Sequence, residues 1–141
     1  MNETVQLLQD VVRDARTGRD AVERLLERVG SDEMRTELNA ERDEYQRHLI
    51  SGQRALAEAG VGAEPPKAQD EGWTALSGRA GERSNADIAQ IVIRGATLGV
   101  IEMTRAMNTY ADADADARRI ASSLIVSQSA AIDRQKAFLS V

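Results

Sequence analysis

The chain has no cysteine among its 141 residues. That excludes disulfides, thiolate nucleophiles and zinc–thiolate centres, and it leaves the redox compartment unconstrained. There is a single histidine, His48, a poor basis for a catalytic triad. Aromatics are limited to Tyr45, Trp73, Tyr110 and Phe138, so a flat ligand finds little to stack on. Lysine is confined to Lys67 and Lys136, the arginines are scattered, and the net charge is −5. Nucleic-acid binding requires a basic face, and none is expected here. No apolar run reaches the ~18–20 residues of a membrane span. Ile88–Met103 comes closest, and Gln90, Arg94 and Glu102 interrupt it. The opening Met1-Asn2-Glu3-Thr4 has no basic stretch followed by an apolar one, so no signal peptide is read and a cytoplasmic protein is the expectation. Gly78 and Gly81 lack the Lys-Ser/Thr of a phosphate-binding loop.

What is present is four long amphipathic segments, Asn2–Val29, Asp32–Ala59, Asn85–Tyr110 and Asp112–Leu139. The first carries Leu8, Val11, Val12, Ala15, Val22, Leu25, Leu26 and Val29 at steps of three and four, hence on one helix face. The second has Met34, Leu38, Glu41, Tyr45, His48, Leu49, Gly52, Ala55, Leu56 and Ala59 in the same register. The third has Ile88, Ile91, Val92, Gly95, Ala96, Gly99, Met103 and Ala106. The fourth runs through Ala117, Ile120, Ala121, Leu124, Ile125, Gln128, Ala131, Ile132, Gln135, Phe138 and Leu139. Gly30-Ser31 and Gly60 read as helix boundaries, and Ser84-Asn85-Ala86-Asp87 as a capping box with Asp in the place of Glu. The short link at Gly30 makes the first two helices antiparallel neighbours. The stretch Gly60 to Ser84 holds Pro65-Pro66, which forbids helix locally. Within it Trp73, Ala75 and Leu76 could form a short turn across the bundle. The fold class expected is all-α: one domain, 1–141, an antiparallel four-helix bundle with one long crossover between helices two and three.

Candidate chemistry centres on Glu41, Glu44 and His48, at spacings of three and four on helix two, with Glu102 between Gly99 and Met103 on helix three. A carboxylate on an apolar face needs a cation, a proton or a metal beside it. Di-iron bundles place one Glu on each of two helices and a Glu-x-x-His pair on each of the others. Here His48 follows Glu44 at four residues, and helix four offers Gln128, Asp133 and Gln135 but no Glu or His. On helix one, Asp10 and Asp14 border the apolar face. The commoner reading pairs Glu41 and Glu44 with arginines such as Arg47 and Arg105. Asp112-Ala-Asp114-Ala-Asp116 imitates the start of a calcium loop, but Ala117 stands where glycine is required and Ser123 where glutamate is. These aspartates read instead as the cap of helix four. Ser122, Ser123, Ser127 and Ser129 have no nearby base in sequence and read as small packing or surface residues. Gly95 and Gly99 read as a close helix approach, with a small apolar ligand in the gap under Trp73 as a weaker idea.

The stretch Asp87-Ile-Ala-Gln-Ile-Val-Ile-Arg-Gly-Ala-Thr-Leu-Gly-Val-Ile-Glu-Met-Thr-Arg-Ala-Met-Asn-Thr-Tyr110 resembles the third helix of small uncharacterised bacterial ferritin-like bundle proteins, above all in Gly95-Ala-Thr-Leu-Gly99-Val-Ile-Glu102. Glu3-Thr-Val-Gln-Leu-Leu-Gln and Glu41-Arg-Asp-Glu44-Tyr45 are similar to the same group. The resemblance implies a left-handed ferritin-like bundle with a long crossover and implies little about activity, although some ferritin-like relatives bind iron or manganese. The expectation is a non-enzymatic interaction bundle, a homo-oligomer, with no cofactor. The alternative is a divergent iron or manganese protein using Glu41, Glu44, His48 and Glu102.

Overall fold

A computed structural model describes residues 2–62 and 84–140. The expected crossover, with Pro65-Pro66, Trp73, Ala75 and Leu76, lies outside the described residues. The rest is all-helical, with no strand among the described residues: α1 Glu3–Leu26, α2 Asp32–Glu58, α3 Asn85–Thr109 and α4 Ala115–Gln135, closed by a 3₁₀ turn at Lys136–Phe138. No helix among them is long and apolar enough to cross a membrane.

Each start is fixed by a side chain that accepts one of the backbone N–H groups left free in a first helical turn. Asn2 Oδ1 accepts from Val5 N at 2.7 Å, Ser31 Oγ from Met34 N at 3.1 Å, Ser84 Oγ from Asp87 N at 3.1 Å, and Asp114 Oδ1 from Ala117 N at 2.8 Å. Asp114 is therefore a helix cap, as the alternating aspartates led us to expect. α2 runs out before Gly60, whose φ of 79° lies in the left-handed region that glycine enters without strain.

Burial follows the apolar stripes except at two of their ends, where Ala59 and Leu139, expected inside, are exposed because they lie beyond the last turns of α2 and α4. All eight residues expected to face inward on helix three are buried in α3. α1 packs along α2 and α3 along α4; α1 also meets α3 and α4, and α2 meets α4. Specific contacts record the order of pairing. Gly18 lies against Tyr45, and Gly52 against Val11 and Val12, so partner numbers fall along α2 as they rise along α1. Arg118 Nη1 donates to the carbonyls of Met107 and Tyr110 at 3.0 and 3.2 Å, and Gly99 lies against Gln128, the same descending order for α3 and α4. Asp112 N donates to Glu3 Oε1 at 3.3 Å and Asp114 N to Thr4 Oγ1 at 2.8 Å, which puts the starts of α1 and α4 together. Ser31 Oγ donates to Asn85 Oδ1 at 3.0 Å, which puts the starts of α2 and α3 together.

Candidate functional site

The core, built from Leu, Val, Ile and Ala, is broken at mid-height by polar side chains: Asp14, Glu41, His48, Gln128 and Gln135 are all buried. They stand where apolar residues would continue the stripes. On α1 the inward series is Leu7, Val11, Asp14, Gly18, Ala21 and Leu25, all buried, so Asp14 sits on the core face rather than at its border.

Gln128 of α4 ties the centre together. Its Nε2 donates to Asp14 Oδ2 at 3.0 Å and more weakly to Tyr45 Oη at 3.4 Å. Gly99 makes this possible. A Cβ there would collide with the Gln128 amide and come within 3.1 Å of Asp14 Oδ1. The Gly95/Gly99 gap is thus filled at Gly99 by polar side chains of the protein itself, not by an apolar ligand; Trp73, its supposed lid, is outside the described residues.

Among the described residues no cation is in hydrogen-bond contact with Asp14, and its pKa is raised to about 7, chiefly by burial, with the Gln128 hydrogen bond opposing and the Glu102 charge adding. Glu41 is the second proton holder. Its Oε2 accepts from Gln135 Nε2 at 2.7 Å. Burial first and the adjacent Glu37 carboxyl second push its pKa up to about 9. Its Oε1 is buried without another partner among the described residues, and a proton shared with the Glu37 carboxyl satisfies it. The expected arginine partners are replaced by another: Arg134 holds Glu37 (2.9 Å) and Glu44 (3.1 Å), not Arg47 or Arg105, and Glu41 is paired with an amide rather than with a cation.

The other half of the layer joins residues distant in sequence. Ser127 Oγ donates to Glu44 Oε2 at 2.7 Å, and His48 Nε2 lies 2.9 Å from Ser127 Oγ. Because the one hydroxyl proton goes to Glu44, His48 must donate through Nε2. Burial, with Arg47 adding, lowers the His48 pKa and keeps the ring neutral. A histidine that donates to a serine cannot take its proton, so this contact does not build a nucleophile. Ser127 is nevertheless more than the surface or packing residue its sequence context indicated, since its partners are 79 and 83 positions away.

Glu41, Glu44, Tyr45, Ser127, Gln128 and Ala131 enclose a cavity of about 10 Å³, the room of one water rather than of a substrate. Glu102 is elsewhere: it is exposed on α3 and lines an open groove with Asp10, Arg13 and Arg105. Glu41, Glu44 and His48 therefore share one helix face and neighbouring contacts on α4, and Glu102 does not join them. Among the described residues no three His, Asp or Glu side chains come together so as to hold a metal ion.

No protein-family model, no curated protein and no solved structure matches the chain.

Proposed function

We propose that this chain is a non-enzymatic ferritin-like bundle that works by binding another protein chain, in the first place a second copy of itself. The observation that carries this reading is the division between inside and outside. The interior polar groups engage one another around a cavity too small for a substrate, whereas Ile50, Leu98, Ile101, Val126 and Leu139 remain exposed. Polar groups that engage one another inside, and the adjacent apolar pair Leu98 and Ile101 left exposed on α3, favour association over chemistry.

The ferritin-like part of the reading draws support from the contact order. α1 and α2 run oppositely, as do α3 and α4, while α2 and α3 start at the same end. A chain that leaves α2 at one end and enters α3 at the other needs a connection along the bundle's length.

The test is oligomeric mass by analytical ultracentrifugation, with metal analysis of the same protein purified untagged and without chelator. A dimer without stoichiometric metal is expected. Stoichiometric iron or manganese that is lost in Glu44→Gln would overturn the reading in favour of a metalloprotein.

A further inference from the structure

We propose that the partner face is the outer side of α3, and that it pairs antiparallel with α3 of a second copy about a two-fold axis beside Leu98. This rests on the reading that the chain self-associates.

Leu98 and Ile101 are 43% and 47% exposed, three residues apart and so adjacent on one face. Among the described residues the other exposed large apolar side chains stand singly: Ile50 on α2, Val126 on α4 and Leu139 beyond α4. Around the pair the surface is small and uncharged at Thr97 and Thr104, both exposed, which lets a second helix come close. A shallow groove continues through Val100, Ile101, Thr104, Arg105 and Asn108, with Arg105 its one charged residue.

Charge sets the partner and the register. Arg94 and Glu102 lie four residues before and after Leu98, both exposed and neither in an ion pair among the described residues. In a two-fold contact the same patch meets itself reversed. With Leu98 facing its own copy, Arg94 of each chain faces Glu102 of the other, twice over. A pairing centred between Leu98 and Ile101 instead opposes Arg94 to Arg105, like against like. Opposite charges equidistant from a central leucine fit a second copy of this helix.

The lack of cysteine makes the test direct, because one introduced thiol reports one position. Leu98→Cys is expected to form a disulfide-linked dimer under mild oxidation, while Val126→Cys, on the 67% exposed position of α4, remains unlinked. Arg94→Glu is expected to weaken the dimer on the order of tenfold, and Glu102→Arg in the same chain to restore it. Circular dichroism should show unchanged helicity, since both side chains are exposed. A dimer by sedimentation in which Val126→Cys links at least as fast as Leu98→Cys overturns the α3 pairing and leaves self-association standing. Failure of the reversed charges to restore affinity overturns the register. A monomer at all concentrations, its α3 face bare or covered by something else, overturns both.

Discussion

Glu41 carries a proton at neutral pH because burial disfavours its charge and the Glu37 carboxyl adds to this, while the Gln135 amide offsets only part of the cost. Asp14 is in the same position, held by Gln128. Their folded pKa values, about 9 and about 7, lie above the ordinary carboxyl range. Folding then takes up protons that the unfolded chain has released. Each group's contribution is complete below its unfolded pKa and is lost as pH rises through the folded value. His48 acts in the opposite sense, since its lowered pKa removes stability as pH falls below the ordinary imidazole value of about 6.5. Between pH 7 and 9 only the Glu41 slope is steep, so thermal unfolding should shift downward across that window. Glu41→Gln, which keeps the neutral form's shape and can donate toward Glu37, should flatten the shift and raise stability at pH 8 by roughly 1–3 kcal/mol; an unchanged slope would mean that Glu41 is ionised in the fold. Gly99→Ala is expected to cost about 1–3 kcal/mol by overpacking the Gln128 amide, although the same change in an open helix position gains about 1 kcal/mol; urea titration decides the sign. Part of this layer was legible. Glu41, His48, Gln128 and Gln135 fall on the stripes by spacing alone. Asp14 was placed at the border of the α1 stripe rather than on it, because only apolar residues were counted there, although its distance from Val11 and Gly18 puts it on the core face. The Ser127–His48 contact had no signal, since partners on α2 and α4 meet only through the fold.

At the scale of the elements, the apolar period reports burial and the caps report the backbone, and the two part company at the ends. Val29 is buried, as its place in the stripe requires, yet α1 ends at Leu26. The turn takes over with Glu27 N and Arg28 N bonded three residues back, to Arg24 and Leu25. The apolar stripe alone extended this helix three residues too far. α4 shows the converse: Asp112 belongs to the turn, and Asp114 sets the start. Ser31 and Ser84 were readable as caps because each has an acidic residue in the turn that follows. The middle aspartate of Asp112–Asp116 could not be singled out from spacing, since each of the three has a small residue after it. Its role is set by the pairing of the α4 start with Thr4, whose Oγ1 accepts from Asp114 N. Asp114→Ala is expected to destabilise the protein by about 1 kcal/mol, whereas Asp112→Ala and Asp116→Ala should stay within about 0.5 kcal/mol. Equal losses at all three positions in thermal denaturation would show that charge near the helix dipole, not the cap hydrogen bond, is what matters.

For the whole molecule, the question is whether two helical hairpins merely lean together or unfold as one body. Each hairpin has its own short link and its own tight packing, α1 with α2 and α3 with α4. Two such hairpins could open in halves. The mid-height layer argues against that. Asp14 comes from α1, Tyr45 from α2, Gly99 from α3 and Gln128 from α4, and the Gln128 amide touches all three of the others. Parting the hairpins would exchange the Asp14–Gln128 hydrogen bond for bonds to water, a net loss of roughly 0.5–1.5 kcal/mol. It would also uncover Val11, Ala15, Val92, Met103 and Leu124, all fully or nearly fully buried. Partial opening is therefore disfavoured relative to complete unfolding, and the slowest-exchanging amides on all four helices should share one opening free energy. Native-state hydrogen exchange in low denaturant measures this directly, helix by helix. Protection in α3 and α4 that collapses about 2 kcal/mol below that of α1 and α2 would show that the hairpins part first, and that the polar layer does not hold them together. In Gln128→Leu, which removes the amide but keeps the volume, the two hairpins should begin to separate in protection, because the shared polar contact is gone while each hairpin's own packing remains.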